Sequence, residues 1–199
     1  MTSFKIMIAI IGSGNVGGKL RQLWTGAGYD VSVAGRDNCA DTVLAADVVA
    51  LCVPWSAAET ALASSGNLAG KIVIDCTNPL NQSLDGLVIG GATSAAERIQ
   101  GLYAKALVVK AFNSMGSALL GKASFEGRLA DGLFCGDNAR AKEMVAKLIS
   151  SAGLRPVDVG PLRNARYLEA MAMLWIDLAV NQKRGPTFAF SVIGWQGAR

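Results

Sequence analysis

"IGSGNVGGKL", Ile11 to Leu20, sets Gly12, Gly14 and Gly17 in a GxGxxG frame directly after the apolar run "KIMIAI". Glycines punctuate any tight turn, so the frame alone says little. Here it follows a strand-like run at once and opens an amphipathic segment over 15–27, which is the setting a dinucleotide fingerprint requires. The first glycine makes the turn, the second lets the pyrophosphate approach the backbone, and the third packs helix on strand. The helix N-terminus then offers free N–H groups and a partial positive charge to the phosphates. The competing reading is a bare turn between strand and helix.

The second strand, "DVSVA", and the residues after it point to the kind of dinucleotide. An NAD site usually places an acidic residue at the carboxyl end of this strand, beside the ribose 2'-hydroxyl. Asp30 stands at the wrong end, and Gly35 and Arg36 occupy the right one. A guanidinium fork suits a 2'-phosphate, so NADP(H) is expected. The alternative is a solvated loop arginine with Asp37 capping the next helix.

Beyond this point apolar runs and helix-like segments keep alternating: a helix near 40–46, "DVVALCV", a helix over 56–64, "KIVIDC", a helix over 94–104 and "ALVVKAF". After a loop-rich stretch come "GLFCG", a helix over 138–152, "LRPVDV" and a long helix over 164–181. Near-continuous Val, Ile and Leu strands predict a Rossmann-type, doubly wound α/β fold, its mainly parallel sheet covered by helices on both faces. Residues 1–112 read as the NADP-binding core, and 113–199 as a C-terminal extension of the sheet plus the long helix, in one structural unit. At 199 residues, 51% of them apolar and 17% charged, such a chain buries its own core. Its positive charges are scattered and its net charge is only +4, so nucleic acid is not an expected partner. No segment reads as a signal peptide or a membrane span, and a cytoplasmic location is expected. Cys39, Cys52, Cys76 and Cys135 form no CxxC pair and read as small core residues; no redox or metal site is assigned.

With "GSGNVG", "AGRD", "CVPW", "DCTNPL", "VVKAFNS" and "FCGDN...LRPVDVGPLRNARYLE" in this order, the chain resembles the deazaflavin (coenzyme F420)-dependent NADP oxidoreductases. It is also similar to the cytoplasmic reductase domain of the six-transmembrane metalloreductases, which use flavin. The resemblance implies NADP(H) on the first glycine loop and hydride exchange with a flavin or deazaflavin ring at the carboxyl edge of the sheet. It implies that Ser13, Asn15 and Val16 join Gly12, Gly14 and Gly17 in the phosphate loop and that Gly35 and Arg36 meet the 2'-phosphate. Pro54 and Trp55 would lie beside the ribose, and Asn78, Pro79 and Asn113 would line the nicotinamide end. Relatives place a longer helix plus an extra strand and helix between "GRD" and "ADVV", where this chain has only residues 37–46. About 10 Å of extended chain and about 10 Å of helix just return along a strand of about 17 Å, so the sheet is expected to lack one outer strand on the adenine side.

Hydride transfer between two stacked rings demands position and exclusion of water rather than a proton donor, which suits a sequence without histidine. No catalytic side chain is assigned. Reduction of a small carbonyl or imine would need a donor, for which Lys110, Tyr103 or Tyr167 are available; Lys110 reads equally as a stem packed on the sheet with its head in solvent. A third reading is a nucleotide-binding or sensing module without turnover. Arg163 and Arg166 share a face at the start of the long helix and suit a cofactor phosphate, or else a solvated surface. The helix "YLEAMAMLWIDLAV" and the tail "FAFSVIGW" are apolar enough to be covered, either under the sheet or against a second subunit. Members of the family the chain resembles commonly dimerise, so the resemblance implies a homodimer.

Overall fold

The alternating runs become the layers of an α/β fold in the computed structural model, which describes residues 5–194. In chain order the first elements are β1 (Met7–Ile11), α1 (Asn15–Gly26), β2 (Asp30–Ala34), α2 (Cys39–Ala45), β3 (Val48–Leu51), α3 (Trp55–Ala63) and β4 (Ile72–Asp75). There follow α4 (Ala95–Leu102), β5 (Leu107–Ala111), a small hairpin of β6 (Ser124–Phe125) and β7 (Arg128–Leu129), β8 (Asp131–Gly136), α5 (Ala139–Ser151), β9 (Arg155–Asp158) and α6 (Ala165–Ile176).

Seven strands pair in the order β2-β1-β3-β4-β5-β8-β9. All neighbours are parallel except β5 and β8. The exception has a local cause. Between β5 and β8 the chain has only the 3-10 turn Ser117–Leu119 and the hairpin, and no crossover helix. Without a crossover it never returns to the amino edge, so the next strand runs back antiparallel.

Among the described residues β2 ends the sheet, with no strand beyond it, as the short connection predicts. The seven residues of α2 carry the chain from β2 back past β1 to β3. The strand order therefore reverses at β1, and the crevice outside the carboxyl ends of β1 and β3 is where ligands bind in open α/β sheets.

Side chains alternate across the sheet. Ile8, Ile10, Val48, Ala50, Ile74 and Val109 pack with Leu20 and Trp24 of α1 and with Val145 and Leu148 of α5. Ala9, Ile11, Val49, Leu51, Val73 and Val108 pack on the other face with residues of α2, α3, α4 and α6. Each fully buried Leu or Ile contributes about 1.5–3 kcal/mol relative to exposure. Trp24 also donates its indole N–H to the Leu148 carbonyl at 2.9 Å, which satisfies its one polar group and ties α1 to α5.

Two local expectations are corrected. The long helix is α-helical only to Ile176, after which Asp177–Asn181 forms a π-helical turn. Asp37 does not cap α2: Asn38 is the N-cap residue, and its side chain accepts from the Gly35 amide at 2.8 Å instead, holding the turn after β2.

Candidate functional site

The three glycines of the first loop are required for three different reasons. Gly12 has φ +102°, and a Cβ there would lie 2.6 Å from the Cys52 carbonyl oxygen. A Cβ on Gly17 would lie 1.9 Å from the Gly12 carbonyl oxygen, so the first turn of α1 seats directly on the loop. A Cβ on Gly14 would meet nothing within 4 Å. Packing therefore explains Gly12 and Gly17, whereas Gly14 faces open space. Gly14 is the N-cap of α1 and no side chain caps that end. The first N–H groups of the helix, on Asn15, Val16 and Gly17, have no partner within it and are left for an external acceptor. Ser13, Gly14 and Asn15 are exposed, and Val16 is half-buried.

Gly35 and Arg36 follow β2 at the same edge, both exposed. Arg36 has no ion-pair partner among the described residues. Pro54, exposed, is the N-cap of α3, and Trp55, half-buried, is its first residue; the preceding residues Cys52 and Val53 touch the Gly12 position. The structure thus brings the ends of β1 and β3 into contact and leaves Arg36 standing apart at the sheet margin.

The nicotinamide-end candidates converge more closely. Asn78 donates its side-chain amide to the Asn113 backbone carbonyl at 2.9 Å, and Asn113 Nδ2 donates to Asn78 Oδ1 at 3.0 Å and to the Leu168 carbonyl at 3.0 Å. Pro79 is buried beside them in sequence. Phe112 makes this possible with φ +60°, a left-handed value uncommon for a bulky residue. That break in the strand alternation sends Phe112 into the same core face as Ala111, edge-on to Trp24 at 5.8 Å, and turns Asn113 toward α6. Asn113 Oδ1 is buried and has no hydrogen-bond partner.

Beneath this pair lies a charged cluster that corrects the sequence reading of Lys110. Its head is not in solvent: the residue is fully buried. Lys110 Nζ lies 2.8 Å from Asp75 Oδ2 and 2.9 Å from Glu169 Oε1, and donates to the Thr77 carbonyl at 2.5 Å. Asp75 Oδ1 accepts from the Thr77 amide and hydroxyl, and Glu169 accepts from the Ala95 and Ala96 amides at the start of α4. Burial works against the charged lysine, but the two carboxylates outweigh it and hold its pKa above the ordinary value. Burial pushes Glu169 up as well, against the pull of Lys110. The signal was present in the sequence. Asp75 and Lys110 are charges inside apolar strands, and the β4–β5 register sets them opposite each other.

Arg163 and Arg166 do not form a joint site. Arg163 lies in the 3-10 turn Leu162–Asn164 ahead of α6, and Arg166 is held by Glu97 through two hydrogen bonds at 2.5 and 2.8 Å. No described group of three or more His, Cys, Asp or Glu is placed to hold a metal, and no described helix is long and apolar enough to cross a membrane. Along the same edge, at the β8–β9 end, a cavity of about 1180 Å³ is lined by Leu129, Ala130, Leu154, Pro156, Phe188 and Ile193 among others. Its C-terminal strap is latched by Asp131, which accepts from Arg155 at 2.6 and 2.8 Å, from Ser191 Oγ at 3.2 Å and from the Val192 amide at 2.6 Å.

Comparison with known proteins places this architecture. The fold matches, with a TM-score of 0.86 and 27% identity, the solved structure of an Arthrobacter sp. FB24 protein to which F420-dependent NADP reductase activity is attributed; the match covers 93% of this chain and 98% of that one. The sequence model of the family "NADP oxidoreductase coenzyme F420-dependent" matches residues 36–79. The F420-dependent NADP reductase of Methanothermobacter thermautotrophicus is 33% identical over 166 residues, which covers 77% of this chain and 69% of that protein. The chain belongs to this family. It is also 27% identical over 181 residues to metalloreductase STEAP3 of Rattus norvegicus, covering 83% of this chain but only 36% of that longer protein.

Proposed function

We propose that the chain is an NADP(H)-dependent oxidoreductase that transfers hydride between NADPH and a deazaflavin, coenzyme F420, or a flavin. One observation carries the nucleotide half: the open space at Gly14 in front of the unpartnered amides of α1. Backbone donors and a helix N-terminus with no side chain in the way fit a pyrophosphate. Gly12 to Gly17 cradle it, Gly35 and Arg36 meet the 2'-phosphate, and Pro54 and Trp55 flank the ribose. Asn78, Pro79 and Asn113 form the nicotinamide end. There the buried, unpartnered Asn113 Oδ1 needs a donor, and a carboxamide N–H supplies one. Residues 1–112 carry the nucleotide, apart from Asn113 at its nicotinamide end, and the extension over 113–199 completes the acceptor side.

When bound, NADPH supplies a hydride and the deazaflavin or flavin ring accepts it. The chain's own part is to hold two flat rings together and keep water out. The arrangement offers little to a carbonyl or imine reductase. Lys110 is locked between two carboxylates, Tyr103 precedes β5 and so lies at the opposite edge of the sheet, and Tyr167 is exposed on α6. Exposed Tyr167, Leu174 and Val180 on and after α6 support a homodimer.

The test is anaerobic NADPH oxidation by the purified protein with coenzyme F420, free flavins, and a panel of carbonyls and imines. Turnover with a deazaflavin or flavin is expected. Turnover with carbonyls or imines alone, or tight NADPH binding with no turnover on any acceptor, overturns the reading.

A further inference from the structure

Cys52 and Cys76 are far apart in sequence and share no spacing motif, but the sheet makes them partners. Leu51 pairs with Asp75 at the ends of β3 and β4, so these cysteines are the next residues in register. The Cys76 amide donates to the Leu51 carbonyl at 3.1 Å, which carries the pairing into this step. Both side chains fall on the face covered by α1, two residues after Ala50 and Ile74. Cys52 and burial together push the Cys76 thiol well above its ordinary pKa, as expected of two neighbouring thiols. Neighbouring strands lie about 4.8 Å apart, within the roughly 4.4–6.8 Å Cα separation that a disulfide spans. Cys39 and Cys135 belong to the opposite core face.

We propose that Cys52 and Cys76 are a dithiol site which peroxide converts to an intramolecular disulfide, and which the bound nucleotide shields. Cys52 is half-buried whereas Cys76 is buried, so Cys52 reacts first. Its sulfur attacks hydrogen peroxide: the O–O bond breaks, the sulfur takes one oxygen as a sulfenic acid, and water leaves. The Cys76 sulfur then attacks the Cys52 sulfur, the S–S bond forms, the S–O bond breaks, and the hydroxyl leaves as a second water with the Cys76 proton. In sum, two thiols give two electrons to one peroxide and yield one disulfide and two waters. The approach to Cys52 is from the carboxyl edge, where its backbone abuts Gly12 of the phosphate loop. A nucleotide on that loop covers it; this second half rests on the nucleotide reading above, and the first half does not.

The experiment treats the folded chain with equimolar hydrogen peroxide, with and without NADP+, then quenches the peroxide, unfolds the chain in alkylating agent, digests it and maps the peptides by mass spectrometry. The expected product joins the Cys52 and Cys76 peptides with loss of two hydrogens, while Cys39 and Cys135 are alkylated after unfolding. With NADP+ far above its Kd, cross-linking slows by about tenfold or more, because only the free form reacts. Cys76→Ser stops the cross-link and leaves a Cys52 sulfenic acid that a cyclic 1,3-dione traps. Oxidised Cys52 with no cross-link to Cys76 in folded wild-type protein overturns the dithiol site. An unchanged cross-linking rate when calorimetry shows NADP+ bound overturns the shielding. Failure of NADP+ to bind at all refutes the nucleotide reading and the shielding with it, while the cross-link still decides the first half.

Discussion

Lys110 Nζ and Glu169 Oε1 lie 2.9 Å apart, both sealed from solvent, and Asp75 Oδ2 approaches the same ammonium at 2.8 Å. One cation thus joins β4, β5 and α6 under the turn that carries Asn78. Lys110→Met leaves two buried carboxylates facing each other, and breaking such a cluster from one side costs about 3–5 kcal/mol. Glu169→Gln keeps the Lys110–Asp75 pair balanced and is expected to cost clearly less. Urea unfolding of both variants checks the ordering; a Lys110→Met loss below about 1 kcal/mol would contradict a structural role for the cluster.

Asp131 latches the C-terminal strap to β9, and its bonds from Arg155, Val192 and Ser191 outweigh burial and hold its pKa below the ordinary value. A carboxyl with a depressed folded pKa contributes stability above its unfolded value of about 3.9 and loses it as pH falls through the folded value. Asp131→Asn is therefore expected to be less stable than wild type at neutral pH, with the gap in Tm closing as pH drops from about 5 to about 2.5. Thermal melts across that range read the gap directly. A constant gap would mean the latch acts through shape rather than charge.

The glycine loop separates folding from binding. Gly17→Ala drives a Cβ to within 1.9 Å of the Gly12 oxygen, so helix and loop must part, and a loss above about 2 kcal/mol is expected. Gly14→Val sets its Cβ in space with no other atom within 4 Å and is expected to cost about 1 kcal/mol or less, while blocking the approach of the pyrophosphate. Melts paired with calorimetric NADPH titration distinguish the two. Undiminished binding in folded Gly14→Val would remove the phosphate from this loop.

Arg36 reads the 2'-phosphate in this account. A hydrogen bond to a charged group contributes about 1.5–3 kcal/mol, so Arg36→Ala is expected to weaken NADPH roughly ten- to hundredfold and to leave NADH nearly unchanged. Since Arg36 is exposed at the sheet margin, salt screens the pair, and the effect falls toward the lower bound at physiological ionic strength. Dissociation constants for both nucleotides at two salt concentrations test this. Equal losses would make Arg36 a support of the loop.

How much of this was legible before the structure depends on how local each cause is. Gly12 and Gly17 were readable because a glycine frame between a strand and a helix has few packing solutions, and the short 37–46 connection was readable as a length constraint. The antiparallel β8 was not, because it follows from a missing crossover rather than from any residue in the strand. Lys110 was misread because one charge among Val108, Val109 and Ala111 looks like a snorkelling stem until its counterions are placed, and Glu169 comes from a distant helix. Arg166 looked available for the same reason: its partner, Glu97, is brought to it only by the packing of α4 on α6.

The central claim is direct hydride transfer between two rings held at the carboxyl edge, and deuterium at C4 of the NADPH nicotinamide follows that hydride. Incubated anaerobically with the protein and coenzyme F420, labelled NADPH is expected to pass its deuterium to the deazaflavin, where it stays bound to carbon and is read by mass spectrometry. Reduced deazaflavin carrying only solvent hydrogen, or NADPH left unconsumed with coenzyme F420 and with free flavins alike, would contradict the account.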